Sequence, residues 1–420
     1  MMQKLKPNFL QDDDIDPLKA YRQAFNFPVD AGGKEIIYLC GNSLGLQPKQ
    51  AKEDIDFEMD RWSTLAVEGH FDGPTNWIDY HYALKEPMAT IVGAMPDEVT
   101  IMNTLTVNLH LMMTAFYHPT PTKYKILIDH SAFPSDRYAV DSFLQSKGIK
   151  DGLLILEADE GALVSNESIK RTFEKHGHEI AMVILGGVNY FSGQFYDLAF
   201  LRAITTAHQC ILGLDLAHAA GNVPVDLHNN GIDFAVWCTY KYLNGGPGSL
   251  AGMFLHEQHF DNAMLTPLRG WWGQDRKERF LMEETFKPMK GAEAYQISNQ
   301  PIFSLVPLNA SLHLHSNAGI EALRKKSIAL TSYLESLILG LNDERVSIIT
   351  PQAIDRRGAQ LSIRIKGGNR TIFDQLRSKG VLGDWRNPDV IRLSPAPIYN
   401  NFEDVYQAVQ ALGEVLNELN

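Results

Sequence analysis

Six short apolar runs set the architecture this chain can adopt. They are Val99–Met102, Lys125–Asp129, Leu153–Ala158, Met182–Gly186, Ile211–Asp215 and Phe234–Trp237. Continuous apolar runs of this length suit strands buried on both faces, and such strands belong to parallel sheets covered by helices. Helical periodicity falls between several of them, from about Asn103 to Phe116, from Ser135 to Lys147 and from Ser165 to Lys175. The β-α-β-α-β order over residues 99–237 predicts an α/β fold with a mainly parallel central sheet and right-handed crossovers.

Ligands of an open α/β sheet bind outside the carboxyl ends of its strands. Asp215 closes the run Ile211-Leu212-Gly213-Leu214-Asp215. Lys241 lies just past the run ending at Trp237, inside Trp237-Cys238-Thr239-Tyr240-Lys241-Tyr242-Leu243-Asn244. A lysine in such surroundings either snorkels to water or is a desolvated amine whose charge is costly to bury. The second kind is a nucleophile that forms Schiff bases with carbonyls. An aspartate after one strand and a lysine after a later one are what a pyridoxal 5'-phosphate site of the aminotransferase type requires. The acid pairs with the protonated ring nitrogen, and the lysine bonds to the aldehyde.

The 420 residues leave room for two or three domains, with cores large enough to need no covalent staples. A net charge of -12 argues against nucleic acid or an anionic membrane as partner, while leaving room for a local basic pocket. Cys40, Cys210 and Cys238 share no CxxC spacing, so free thiols in a reducing compartment are expected. His256-Glu257-Gln258-His259 is one residue short of the zinc-protease spacing, and no metal is assigned. Met1–Asp16 lacks the apolar centre of a signal peptide. No apolar run has transmembrane length. The expected location is the cytoplasm.

Ahead of the sheet, the pattern predicts a helix over Pro17–Phe25, a strand over Ile36–Leu39, the glycine-bounded turn Gly41–Gly45, and helices over Lys49–Ala66 and Tyr80–Val92. Asn103-Thr104-Leu105-Thr106 is either an ordinary N-cap or, beside a cofactor lysine, part of a phosphate cradle, because free N–H groups at a helix start bind anions. Ser135 is expected to cap the helix that follows it. Phe133 is either a core aromatic or a face for a planar ring. Gly270-Trp271-Trp272-Gly273 is either a pocket wall or core packing. A long helical stretch, Pro307–Leu341, opens a smaller α+β C-terminal domain with strands near 345–349, 360–365 and 390–393, a helix over 371–380 and a closing helix from Phe402. Arg392, on the last strand, suits a planar carboxylate clamp. The expected domains are 1–45, an N-terminal arm and strand joining the small domain; 46–306, the large cofactor-binding domain; and 307–420, the small C-terminal domain.

With these stretches in hand, the chain resembles the kynureninases, pyridoxal-phosphate enzymes of the aspartate-aminotransferase fold (type I). The resemblance rests on Gly41–Pro48 (GNSLGLQP), Leu105–His110 (LTVNLH), Phe133–Asp136 (FPSD), Asp215–Asn222 (DLAHAAGN), Trp237–Asn244 (WCTYKYLN), Gly270–Gly273 (GWWG) and Ile297–Asn299 (ISN). These span almost the whole chain in the family's order. Gln274 departs from the histidine the family often carries there, and Gly246-Pro247-Gly248 is a variable part of the lysine loop.

The resemblance implies a hydrolase that cleaves the Cβ–Cγ bond of L-kynurenine and 3-hydroxy-L-kynurenine. The products are anthranilate or 3-hydroxyanthranilate plus L-alanine, as in tryptophan degradation and pyridine-nucleotide biosynthesis. It implies that Lys241 bonds to the cofactor and then moves the substrate's Cα proton. Asp215 pairs with the ring nitrogen, with His218 beside it. Leu105, Thr106, Tyr240 and Trp271 hold the phosphate, Trp271 from the partner subunit of a homodimer. Phe133, Pro134, Ser135 and Asp136 line the cofactor, and Asn299 comes from near the interface. Ser43, His70 and Asn299 face the substrate, Arg392 takes its carboxylate, and Tyr240 returns a proton after the bond breaks. Polar His70, Ser298 and Asn299 imply a preference for the hydroxylated substrate. Two rival readings remain. One is a cysteine desulfurase or a related aminotransferase: a desulfurase needs a mobile cysteine late in the chain, whereas the last one here is Cys238, and an aminotransferase is separated by its keto-acid product. A non-enzymatic protein would have no need of both Lys241 and Asp215.

Overall fold

A computed structural model describes residues 9–418. The first eight residues of the expected N-terminal arm lie outside the described residues. Among the described residues, seven strands form the central sheet. Their order is Val99–Met102, Ala251–Leu255, Phe234–Cys238, Ile211–Asp215, Ile180–Gly186, Lys125–Ile128 and Leu153–Ile155. Only Ala251–Leu255 runs against the rest, antiparallel to both of its neighbours. The other four pairings are parallel. Every residue of Phe234–Cys238 and Ala251–Leu255 is buried, the condition that selects continuous apolar strands.

Helices cover both faces. On one side Leu109, Met112, Phe116, Val140 and Phe143, from the helices Leu105–Phe116 and Pro134–Ser146, pack on Ile126, Met182 and Val236. On the other, residues of Tyr82–Val92, Asn166–His176, Leu198–Ala207 and Ile302–Ala318 pack on Leu127, Val183, Leu212 and Trp237. The 198–207 helix completes the crossover into the strand carrying Asp215.

The second sheet is antiparallel, in the order Val346–Ile348, Leu361–Ile365, Val390–Leu393, Asp384–Arg386. Its apolar face packs against Leu330, Leu334, Leu376, Val405, Val409 and Leu412 of three helices. The N-terminal strand Ile37–Tyr38 pairs in parallel with Val381–Leu382.

Four local readings differ from the pattern. Residues Lys19–Ala24 form a 3-10 helix instead of an α-helix. The segment is short, nucleation is costly, and the chain is drawn at once into pairing of Phe25 with Pro48. The stretch 307–341 is two helices, Ile302–Ala318 and Ile320–Leu339, broken at Gly319 with φ +77°, a conformation that favours glycine. The polar strand Asp384–Arg386 carries no apolar pattern and is held by its neighbour Val390–Leu393. Ser135 does not cap its helix. The chain enters the 134–146 helix through Phe133, and no side chain caps it.

Candidate active site

Asp215 and Lys241 follow neighbouring parallel strands in the middle of the sheet at their carboxyl-terminal ends, with Asp215 in register with Val236. Around them a cleft is lined by Leu105, Thr106, Phe133, Ser135, Asp136, His218 and Tyr240, among others. Lys241 Nζ lies 3.0 Å from His218 Nε2. Burial holds the His218 imidazole well below its usual pKa, and the positive charges of Lys241, Arg392 and Arg386 push it further the same way. A neutral imidazole accepting from Lys241 at Nε2 carries its proton on Nδ1. That Nδ1 is buried and has no partner among the described residues. An orphaned donor at the base of a cleft is a place for a ligand acceptor.

Asp215 is 7% exposed and accepts the Ala217 N–H at 2.6 Å. Asp136 stands against it. Burial, then the charge and hydrogen bond of Asp215, raise the Asp136 carboxyl well above the usual range. The like charge of the neighbouring carboxylate opposes ionisation of Asp136. A carboxylate so placed suits a cationic ring nitrogen. The two helices Leu105–Phe116 and Pro134–Ser146 meet at their N-termini, where the Thr106 and Ser135 hydroxyls are 2.7 Å apart. Neither start has a side-chain cap, so N–H groups at the first turn of the 105–116 helix and the Ser135 hydroxyl are available to an anion, while the Asp136 N–H donates to the Phe133 carbonyl. The donor set fits pyridoxal phosphate: an amine, a carboxylate, and an anion cradle in one cleft. Phe133 is 43% exposed, with its ring edge-on to Tyr190 at 5.3 Å. It is a wall of the cleft and not a core aromatic.

Tyr240 is half-buried, with its ring 5.9 Å from Lys241 Nζ. Burial first, then the Cys238 thiol, raises its phenol above the ordinary value, so it stays a proton donor.

Three distant elements hold the lysine loop. The Gly45 N–H donates to the Tyr240 carbonyl at 2.7 Å. A Cβ on Gly45 would stand 2.4 Å from the Lys241 carbonyl oxygen, so glycine is required for the approach. The Tyr242 hydroxyl meets Ser394 Oγ at 2.8 Å, and His315 Nε2 lies 3.0 Å from the Tyr242 carbonyl.

Other expected site residues stand apart from this cleft. Pro134 is the exposed first residue of its helix. Ser43 is exposed, with its N–H donating to the Cys40 carbonyl at 2.9 Å. His70 stands edge-on to Trp77 at 5.4 Å. Trp271 is 47% exposed and its indole N–H donates to the Arg279 carbonyl. Asn299 is exposed; Gly270 packs against Ile297, so Trp271 and Asn299 come from adjoining segments. Arg392 is fully buried beside Asp384 and the Tyr190 carbonyl.

Sequence reasoning passed over Asp129, Asn189 and Tyr190, which also line the cleft. Asp129 accepts the Tyr196 hydroxyl at 2.6 Å and the Asn189 amide at 3.0 Å. Asn189 in turn accepts the N–H groups of Phe191 and Ser192 and so shapes the turn that presents Tyr190. The available signal was Asp129 itself, a carboxylate closing an apolar strand as Asp215 does. Away from the cleft, Glu98, His228 and His256 bring possible metal-ligating atoms within 4.8 Å of one another. They bond instead to protein: Glu98 accepts from His228 Nδ1 and the Glu257 and Met95 N–H groups, and His256 Nδ1 accepts the Gln258 N–H.

Residues 323–412 match the family model described as the kynureninase C-terminal domain. A kynureninase of Myxococcus xanthus is 49% identical over 403 residues, covering 95% of each chain. The chain belongs to the kynureninase family. It is therefore an enzyme family member, and the fold relation extends further. A cysteine desulfurase of Escherichia coli superposes with a TM-score of 0.77 at 16% identity, over 96% of this chain and 98% of that one. A C-DES variant with glycine covalently linked to its PLP cofactor superposes with a TM-score of 0.76 at 18% identity, over 94% and 99%. These likenesses are of fold, the type I α/β architecture. Cys238, the last cysteine, is 5% exposed on a central strand, which is no place for a mobile desulfurase nucleophile.

Proposed function

We propose that this kynureninase-family chain is a pyridoxal-5'-phosphate-dependent hydrolase that cleaves L-kynurenine and 3-hydroxy-L-kynurenine between Cβ and Cγ, yielding L-alanine and the anthranilate. The carrying observation is the Lys241 amine, seated on His218 at 3.0 Å, at the same carboxyl-terminal end of the sheet as the Asp215 carboxylate. When bound, the cofactor supplies an aldehyde for the amine and a ring that accepts electrons from the substrate's Cα. Lys241 would hold that aldehyde, and its amine would be the base that takes the substrate's Cα proton. Asp215, with Asp136 against it, would face the ring nitrogen and hold a proton there. Leu105, Thr106 and Ser135 offer the phosphate helix N-termini and hydroxyls, and Phe133 and His218 close over the ring. Tyr240, a protonated phenol, gives a proton to the carbon released as alanine. Arg392 takes the α-carboxylate.

The reading includes a homodimer in the cytoplasm, the domain divisions at 46 and 307, and a site completed by the partner subunit. Its support is an exposed aromatic face. Phe71, Trp271 and Phe280 are 61%, 47% and 49% exposed and touch ring to ring, with Phe280 centroids 6.1 Å from Phe71 and 5.3 Å from Trp271. Such a patch calls for a partner surface, and a second copy would carry Trp271, Asn299, His70 and Ser43 toward a cleft that lacks them. Among the described residues no helix is long and apolar enough to cross a membrane. The test is product analysis by mass spectrometry: equimolar alanine and anthranilate are expected from kynurenine, and a keto acid without alanine would overturn the reaction.

A further inference from the structure

Arg392 has a companion. The strands Asp384–Arg386 and Val390–Leu393 pair antiparallel, with Asp384 opposite Arg392 and Arg386 opposite Val390. Residues two apart on a strand share a face, so Asp384, Arg386 and Arg392 stand together. One carboxylate oxygen, Asp384 Oδ2, accepts from Nη2 of Arg392 and, at 3.0 Å, from Nη2 of Arg386. Two cations against one anion leave an excess positive charge. Nη1 of Arg392 donates to the Tyr190 carbonyl. The Nε atoms of both arginines are buried and have no hydrogen-bond partner among the described residues. Arg392 as a whole is 0% exposed, so water does not relieve the deficit. A buried guanidinium donor without an acceptor is costly.

The pair adjoins the cleft through Tyr190, without lining it. Both guanidinium carbons lie over the same ring, 5.8 Å (Arg386) and 5.9 Å (Arg392) from the centroid of Tyr190. Tyr190 lines the cleft with Lys241 and stands edge-on to Phe133. Both positive charges act on His218, the imidazole that touches Lys241.

We propose that Arg386 is a second carboxylate-binding residue, forming with Arg392 a two-arginine site for the substrate α-carboxylate, and that Asp384 is the positioning residue that holds the pair. The proposal rests on the reading of the chain as a kynurenine-cleaving hydrolase. Asp384 is fixed to its strand and satisfies one Nη2 of each arginine. The substrate carboxylate supplies the missing acceptor and neutralises the excess charge. A guanidinium fork suits a planar carboxylate better than a point ammonium does.

The test compares L-kynurenine with its α-carboxamide, as substrate or competitive inhibitor, on the cofactor-loaded wild type, Arg386→Gln and Arg386→Lys. Arg386→Gln is expected to raise KM for kynurenine about tenfold with kcat changed by less than about twofold, and to leave carboxamide affinity nearly unchanged. Arg386→Lys should recover part of the loss. A KM for kynurenine that does not move, or one that rises equally for the carboxamide, overturns the proposal. If a lowered melting temperature shows that Arg386→Gln has lost its fold, Arg386→Lys carries the same two-ligand comparison. A wild type that leaves kynurenine intact defeats the functional reading instead. Calorimetric titration of wild type and Arg386→Gln with L-alanine then decides the arginine pair: weaker binding by the variant is expected, and equal affinity overturns it.

Discussion

The strand ends around Lys241 and the aromatic face that carries Trp271 are built on opposite terms. At the carboxyl ends of the strands, polar groups meet polar groups within one chain: Lys241 on His218, Asp136 against Asp215, Thr106 on Ser135. Around Trp271, large apolar side chains stand in solvent, with Leu281 and Met282 at 63% and 72% exposure beside Phe280. The first region gathers its polar groups within one chain. The second presents apolar rings left exposed by that chain. On the proposed reading, the difference teaches that the groups holding the cofactor are placed by the fold of one chain, whereas Trp271 would act through assembly.

The largest effects should come from the self-contained region. Lys241→Ala removes both the covalent anchor and the base and should lower alanine release by roughly a thousandfold or more. Borohydride should then fail to fix cofactor to the peptide containing residue 241; ordinary turnover by this variant would place the amine elsewhere. Asp215→Ala should cost roughly a hundredfold, because a carboxylate in contact with a cation raises the cation's pKa by about 1–3 units, and Asp215→Glu should keep part of the activity. Equal rates in all three forms would mean that another group holds the ring nitrogen.

The comparison itself is broken or sharpened by mixing. Trp271→Ala should lower kcat/KM about tenfold through lost partner contacts. Refolded with Lys241→Ala, it should regain up to roughly a quarter of wild-type activity, since mixed dimers have one intact site. No recovery would place Trp271 in its own chain's site. Tyr240→Phe should slow alanine formation about tenfold while Cα–H exchange in D2O continues; NMR reads both, and a loss of exchange would move Tyr240 to the first step. The smallest change is one of preference. Wild type is expected to favour 3-hydroxykynurenine, since polar groups built to bond a hydroxyl are left unpaired without it. His70→Trp with Asn299→Thr should shift the kcat/KM ratio several-fold toward kynurenine. A ratio that stays put separates these residues from the aromatic ring.

What could be read beforehand follows the same division. Strands buried on both faces announce themselves as apolar runs, and Asp215 and Lys241 are conspicuous because polar groups end those runs. The strand Asp384–Arg386 is invisible because its pairing energy comes from a neighbour and its side chains are polar. The break at Gly319 was hidden by apolar periodicity on both sides of it. Tyr190 was missed because it sits in a turn whose shape depends on Asp129, 60 residues earlier than Asn189 in the chain. For Trp271 the local pattern leaves a pocket wall and core packing equally open, and the roles expected of it and of Asn299 rest on motif likeness.

The clamp on the lysine loop ties catalysis to the two ends of the polypeptide. Gly45 belongs to the N-terminal segment, Ser394 to the C-terminal sheet, and both grip the residues on either side of Lys241. The N-terminal strand is itself hydrogen-bonded to Val381–Leu382. Whatever binds covalently at Lys241 and prefers the clamped loop must stabilise the docking of the Gly45 and Ser394 segments by an equal free energy, since linkage is reciprocal. Cofactor occupancy and closure of these segments on the loop are thus one equilibrium seen from two sides, and a change at Gly45 or Ser394 registers at an amine far from both in the sequence.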